Sequence, residues 1–276
     1  MKITAIETIR LPERPNLLLA QVHTDEGSIG LGETSRGAQA VEAQLHELVA
    51  PYLLGKNPLE IARHSRQLMN CYLGFSASSV EVRAASVIDI ALWDIFGQAL
   101  NQPIHTVLGG MSRERIRAYN TCAGYRYNTH GAARRSMRVG DKAPASEGPY
   151  DDQIAFVHRA DELAQSLLEE GFSGMKIWPF DPYAEDNGGS FISTRDLDLA
   201  LEPWRKIRHA VGDRIEIMAE FHSLWNIQQA KQIAKALEPY RPYWAEDPIR
   251  MCDIDTLKEY ARSTSIPVCA SETLGG

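Results

Sequence analysis

The chain has 276 residues, of which 44% are hydrophobic and 24% charged, a balance that excludes a disordered or fibrous protein. Its 29 lysines and arginines face 36 aspartates and glutamates, a net charge of −7, which argues against a partner with a phosphate backbone because such binders carry a basic face. No apolar run approaches the roughly 18 residues of a membrane-spanning helix, and Glu7, Arg10 and Glu13 fall where a signal peptide needs its apolar core, so the expectation is a cytoplasmic protein with no membrane partner.

The chain opens on strand patterns at Lys2–Leu11 and Leu17–Thr24. A turn at Thr24-Asp25-Glu26-Gly27 leads to a returning strand at Ser28–Gly32, with glycine where a positive φ is needed. Helical spacing follows at Ala38–Val49 and from Pro58 to about Tyr72. Val80–Leu100 is apolar on most sides and reads as a buried helix; Asp89 and Asp94 within it read as hydrogen-bonded structural carboxylates, since a buried carboxylate is normally paired. Gly109-Gly110 breaks the pattern.

From about Arg115 the rhythm alternates. A strand at Ile116–Cys122 is followed by a helix at Ile154–Glu170, a strand at Ser173–Trp178 and a helix at Asp196–Val211. Then come a strand at Ile215–Glu220, a helix at Asn226–Leu237, a strand at Tyr243–Glu246, a helix at Ile254–Arg262 and a strand at Ile266–Ser271. Alternating β and α elements predict a parallel sheet, and the domain boundary falls near Gly110–Arg115, giving domains 1–112 and 113–276. Tyr127–Gln153 is polar and fits neither pattern; it reads as a surface loop, or as a lid in which Arg134, Arg135 or Arg138 attracts an anion. Cys71, Cys122, Cys252 and Cys269 are scattered with no Cys-x-x-Cys pair and read as reduced, mostly buried thiols. The glycine-rich GSIGLGE sits in the opening hairpin rather than between a strand and a helix, which excludes dinucleotide binding.

The feature that carries chemistry is a repeat. Glu220, Glu246 and Glu272 stand 26 residues apart, each near the end of a strand pattern. Neighbouring strands lie about 4.7–4.9 Å apart, so three adjacent strand ends bring such side chains within reach of one point. Three carboxylates there repel one another and raise one another's pKa values. A divalent hard cation, Mg²⁺, resolves that conflict with oxygen ligands, at the end of an α/β barrel where active sites are built. Two positions past Glu220, His222 becomes a proton donor or acceptor. Lys176, inside the preceding strand, needs a partner to be buried, and the acidic cluster supplies one. Trp178 shares the Lys176 face and walls the pocket or fills core. Asp247, next to Glu246, points the other way and is a weaker ligand.

The opening TDEGSIGLGE, the helix VIDIALWDIFGQALNQPIHTVLGG and the three glutamates together resemble the enolase superfamily, in its mandelate racemase/muconate lactonizing enzyme group. The resemblance spans the chain. It implies an α/β fold with an α+β N-terminal capping domain and a partial TIM-type (β/α) barrel, about five of the eight βα units. It also implies Glu220, Glu246 and Glu272 as Mg²⁺ ligands. FHS after the first ligand and LEPYRPYWAEDPI around the second are most similar to sugar-acid dehydratases of the galactonate type. They imply loss of water from an acid-sugar substrate to a 2-keto-3-deoxy acid through an enediolate, with His222 as acid. On that expectation Lys176 is an electrostatic stabiliser or base, and the pocket-side Trp178 and the loop's Arg138 are candidate substrate contacts. Many relatives carry a Lys-x-Lys pair on the second barrel strand; here it is Gly174 and Lys176, which disfavours a two-lysine racemase. The family's three further βα units, with the histidine base, have no counterpart in these 276 residues. Other expectations are therefore an epimerase or cycloisomerase of the same superfamily, or a truncated non-catalytic chain. A two-carboxylate glycosidase gives no reason for a third equally spaced glutamate. A homo-oligomer is an expectation by analogy.

Overall fold

Leu18, Ala20 and Val22 are fully buried while the residues between them are not, the period of two that lays one sheet face on a core. They belong to the middle strand of an antiparallel meander, β1 (Ile3–Leu11), β2 (Arg14–Thr24) and β3 (Ile29–Ser35), in a computed structural model that describes residues 1–71, 79–124, 137–142, 150–251 and 253–272. The described residues divide into two units, the first essentially Met1–Ile116 and the second running from Arg117 onward.

In the first unit the sheet is followed by α1 (Ala38–Gln44), a π-helical turn (Leu45–Val49), α2 (Ala50–Leu53), α3 (Ile61–Met69), α4 (Val80–Leu100) and α5 (Ile104–Val107). The single helix expected over Ala38–Val49 thus widens after Gln44. Pro51 lies just beyond, and its missing N–H cannot close the ordinary helical ladder. Helix α4 lies so close to β3 that a Cβ on Gly30 would sit 2.0 Å from the Ala91 carbonyl oxygen and one on Gly32 1.8 Å from that of Val87. The glycines of GSIGLGE therefore serve strand–helix packing. Asp94 accepts the Leu31 N–H at 2.8 Å, and Asp89 accepts a hydrogen bond from Ser65 while burial raises its pKa, which gives both carboxylates structural partners.

The second unit runs α6 (Asp152–His158), α7 (Ala160–Glu169), β4 (Gly174–Ile177), α8 (Asp181–Glu185), α9 (Thr194–Ala200), α10 (Glu202–Val211), β5 (Glu216–Glu220), α11 (Ile227–Leu237), β6 (Ala245–Glu246), α12 (Ile254–Arg262) and β7 (Val268–Cys269). The strands form one parallel sheet in the order β4-β5-β6-β7, as the alternating pattern predicts. The strand expected at Ile116–Cys122 is reduced to an isolated bridge between Asn120 and Met175. The Asn120 side chain takes the Cys122 N–H at 2.6 Å, and Cys122 has φ 51°; a local side-chain bond of this kind competes with the ladder. The helix expected over Ile154–Glu170 breaks at Arg159, and that over Asp196–Val211 breaks at Leu201, just before Pro203.

The core of this unit lies on both faces of the sheet, and Phe156, Phe180, Trp204, Phe221, Trp225 and Tyr260 are fully buried there. Each large apolar side chain so buried stabilises the fold by about 1.5–3 kcal/mol. Of the three described cysteines, all free, only Cys122 is buried; Cys71 and Cys269 are half-buried, so the expectation of mostly buried thiols is corrected. Cys252, Arg134 and Arg135 lie outside the described residues. No helix among the described residues is long and apolar enough to cross a membrane.

Candidate active site at the strand ends

Parallel pairing sets Glu220 of β5 directly opposite Glu246 of β6. Lys176 of β4 reaches both: its Nζ donates to Glu220 Oε2 at 2.8 Å and to Glu246 Oε1 at 2.8 Å. The remaining oxygens are also engaged. Glu220 Oε1 accepts the backbone N–H groups of Phe221 at 3.1 Å and His222 at 2.9 Å, and Glu246 Oε2 accepts the Trp244 indole N–H at 3.1 Å. The Lys176 ammonium also lies 5.9 Å from the centre of the Tyr119 ring. Burial disfavours the charged form of all three groups, and the net outcomes differ. It raises the Glu220 pKa. At Glu246 the hydrogen bond and charge of Lys176 outweigh burial and the pKa falls. At Lys176 the two carboxylates outweigh burial and hold the ammonium well above the ordinary lysine value.

His222 lies past the end of β5 and its φ is 48°. The alternation of a strand therefore does not place it, as the two-residue spacing from Glu220 had suggested; a left-handed backbone does. Ser223 and Asp247, also after strand ends, have φ 58° and 42°. Such conformations cost about 1–3 kcal/mol each and gather at functional sites. The His222 ring bonds through Nδ1 to Asp181 Oδ2 at 2.7 Å. Trp178 stands edge-on to that ring at 5.5 Å and to Phe156 at 5.1 Å, so it lies beside His222 and is also core. Burial lowers the His222 pKa, and Asp181, then Glu220 and Glu272, outweigh it, so the net shift is upward.

Glu272, equally spaced in sequence, does not share the strand-end register. In the sheet register Glu246 pairs with Cys269, so Glu272 falls three residues beyond the end of β7 and is exposed. Its backbone N–H donates to Asp247 Oδ2 at 3.0 Å, which employs the buried Asp247 as an anchor for that turn. Among the described residues, no three histidine, cysteine or carboxylate side chains are set close enough to hold a metal ion. Arg138 pairs with Asp186 at 2.5 Å and covers the Tyr183 ring at 5.1 Å, so its charge is already matched by a carboxylate. Burial pushes the Tyr183 hydroxyl up to about 12.

Sequence reasoning missed Asp181, Trp244 and Tyr119. For Asp181 a signal existed: Asp181-Pro182 is a helix-start pair, and it opens α8. Nothing local marked the other two.

The donors test the idea of a divalent cation directly. Two carboxylates from adjacent strands converge and already share one cationic group, and their oxygens are the hard ligands that Mg²⁺ takes. Glu220 and Glu246 fit such an ion.

The molecule is thus an α/β protein with an acidic strand-end site, preceded by an α+β unit. Residues 4–109 match the family described as mandelate racemase / muconate lactonizing enzyme, N-terminal domain, and residues 159–276 match enolase C-terminal domain-like. The chain belongs to the enolase superfamily, in its mandelate racemase/muconate lactonizing enzyme group. It is 33% identical over 280 residues to a D-galactonate dehydratase of Klebsiella pneumoniae (strain 342), an alignment that takes in 99% of this chain and 62% of that protein. It is also similar to the crystal structure of an enolase of the mandelate racemase subgroup from Agrobacterium tumefaciens, with 50% identity, TM-score 0.84 and coverage of 100% of this chain and 65% of that one. An enolase protein from the environmental genome shotgun sequencing of the Sargasso Sea shares 46% identity at TM-score 0.85, over 100% of this chain and 66% of that one. The chain therefore spans somewhat less than two thirds of the length of these relatives.

Proposed function

We propose that the protein is a Mg²⁺-dependent dehydratase of sugar acids, removing the proton α to a carboxylate and eliminating water to leave a 2-keto-3-deoxy acid. The observation that carries this reading is the pairing of Glu220 with Glu246 around Lys176, next to a histidine held by Asp181. The likeness to a D-galactonate dehydratase supports the reaction class.

Glu220 and Glu246, with Glu272 as a third donor, would hold the ion. When bound, Mg²⁺ supplies positive charge that offsets the negative charge gathering on the substrate carboxylate as the α-proton leaves. Lys176 adds a fixed ammonium at the same place and is a candidate base once its proton is displaced. His222 gives its proton to the departing hydroxyl, the work of a general acid. Trp178, edge-on to the His222 ring, would bound the substrate on that side, and Arg138 would be a weaker substrate contact because Asp186 already holds it.

A racemase or epimerase would share the first proton transfer. A lysine pair is disfavoured by space as well as by sequence: a Cβ on Gly174 would meet Tyr119 Cβ at 3.0 Å and Met218 Cε at 3.1 Å. Incubation with a panel of aldonic and aldaric acids and Mg²⁺, assayed for 2-keto acids, tests the proposal. The expected result is a 2-keto product from at least one acid, abolished in His222→Asn. Full activity in that variant would remove His222 from the acid role, and an epimerised acid as sole product would replace dehydration with epimerisation.

A further inference from the structure

Asp181 is 5% exposed, and among the described residues its carboxyl makes one side-chain bond, between Oδ2 and His222 Nδ1 at 2.7 Å, while the buried Oδ1 has no hydrogen-bond partner there. Asp151 and Asp253, the N-caps of α6 and α12, accept the backbone N–H groups of Ile154 and Asp255, the ordinary capping bond, whereas Asp181 stands one position further in. Asp181 opens α8 and caps nothing: the residue before it, Phe180, is the N-cap, and no side chain there takes a helix N–H. The carboxyl is committed to the imidazole.

The imidazole is restrained elsewhere too. Its own backbone N–H is tied to Glu220 Oε1 at 2.9 Å, its φ is 48°, and Trp178 stands edge-on to the ring at 5.5 Å. Two anchors on different elements, one for the backbone and one for the ring, define where the ring lies and which nitrogen is occupied. A carboxylate accepts only, so Nδ1 must carry a hydrogen. The neutral ring is then the Nδ1–H tautomer, and Nε2 is the nitrogen left for proton transfer.

We propose that Asp181 is the positioning residue of His222: it holds Nδ1–H, fixes the tautomer and aims Nε2 for proton donation. Its catalytic meaning rests on the dehydratase reading above. In that step the ring starts as the cation with both nitrogens protonated, the Nε2–H bond breaks and its electron pair stays on the nitrogen. The proton goes to the substrate hydroxyl, whose C–O bonding pair leaves with the oxygen as water, while the pair left by the departed α-proton forms the carbon–carbon double bond. The ring ends neutral, with Nδ1–H still donated to Asp181, so no rotation or second proton movement is needed.

Two variants and two readouts test this in the full chain. The first readout needs no substrate: nitrogen-15 spectra of the His222 ring at alkaline pH, with the ring neutral, assigned by loss of the signals in His222→Gln. The wild type should show a protonated Nδ1 and an unprotonated Nε2. Asp181→Leu should move the ring toward the Nε2–H form that free histidine prefers. Asp181→Asn can turn its amide NH2 toward Nδ1, which then accepts, so it should also favour the Nε2–H form, and it covers the case in which Asp181→Leu does not fold. The second readout is kinetic. Asp181→Leu and Asp181→Asn should each lower kcat by about tenfold or more with KM changed by less than about twofold, since a positioning group acts on the chemical step. A ring that stays Nδ1–H in whichever of the two variants folds overturns the proposal. So does a ring that changes tautomer while kcat does not move. If the wild type dehydrates no acid sugar, the dehydratase reading fails, and the spectra still decide whether Asp181 sets the tautomer.

Discussion

Glu220 and Glu246 face each other across adjacent parallel strands, and the Lys176 ammonium lies 2.8 Å from an oxygen of each. Their side chains are 2% and 14% exposed, so the three groups form a nearly dry cluster in which one positive charge answers two negative ones. Removing one member of such a cluster costs about 3–5 kcal/mol because it leaves uncompensated buried charge. Lys176→Met should therefore be destabilised by about that amount without a divalent ion. Because Mg²⁺ or Mn²⁺ fits the same two carboxylates, either ion should raise the melting temperature of Lys176→Met more than that of the wild type. Equal shifts in thermal denaturation would show that the ammonium and the metal do not share those oxygens.

The proposed ligand set is open to direct measurement. Mn²⁺ affinity, measured by calorimetry, should fall by about 100-fold or more in Glu220→Gln and Glu246→Gln, more than the 10–100-fold typical of changes behind the ligands. Trp244→Phe removes the indole bond to Glu246 Oε2 and should fall within that lower range. Glu272→Gln decides the third donor. A clear loss of affinity assigns Glu272 to the ion, while an unchanged value leaves it as the exposed residue that its position after β7 describes.

The difference between Glu246 and Glu272 shows what could be read from sequence. Equal spacing of 26 residues and strand-like runs located three acidic positions near a sheet edge, and for Glu220 and Glu246 the pairing agrees. Spacing does not report register: β7 is only Val268–Cys269, so the third glutamate falls beyond it. His222 was found by a strand argument although the strand ends before it, because proximity to Glu220 held for a different reason, the left-handed backbone and the Asp181 bond. The parallel sheet and the opening meander were legible because their periodicities are long. The breaks at Arg159 and Leu201 were not, since apolar spacing continues across them while the backbone does not.

The opening hairpin gives a prediction about stability. Gly32 has no room for a side chain, its Cβ position lying 1.8 Å from the Val87 carbonyl oxygen. That neighbour is helix backbone and cannot rotate away. Gly32→Ala should push β3 off α4 and cost at least the roughly 1–3 kcal/mol typical of an overpacked contact. The midpoint of a urea titration should drop accordingly. Gly55→Ala is the matched control: no atom lies within 4 Å of its Cβ position, so only its left-handed φ of 78° opposes the substitution. A loss at Gly32 no larger than that at Gly55 would refute the packing argument.

The segment that leads into β7 carries a pH dependence. One oxygen of Glu238 accepts the Ser265 backbone N–H at 3.2 Å, the Ser265 hydroxyl at 3.1 Å and the Thr264 hydroxyl at 3.3 Å. The Ser265 bonds, backbone first, hold the Glu238 carboxyl below its ordinary value of 4.5. A carboxyl depressed in the folded state binds its proton more weakly there than in the unfolded chain, so its stabilisation is complete above the unfolded value and is lost as pH falls through the folded one. Glu238→Gln should therefore melt below the wild type above pH 4.5, and the gap should close as acid protonates Glu238 in the folded protein. Thermal melts of both proteins across the acidic range measure it. A gap that persisted unchanged into strong acid would mean that shape at position 238, rather than charge, ties Thr264 and Ser265 in place ahead of the turn that carries Glu272.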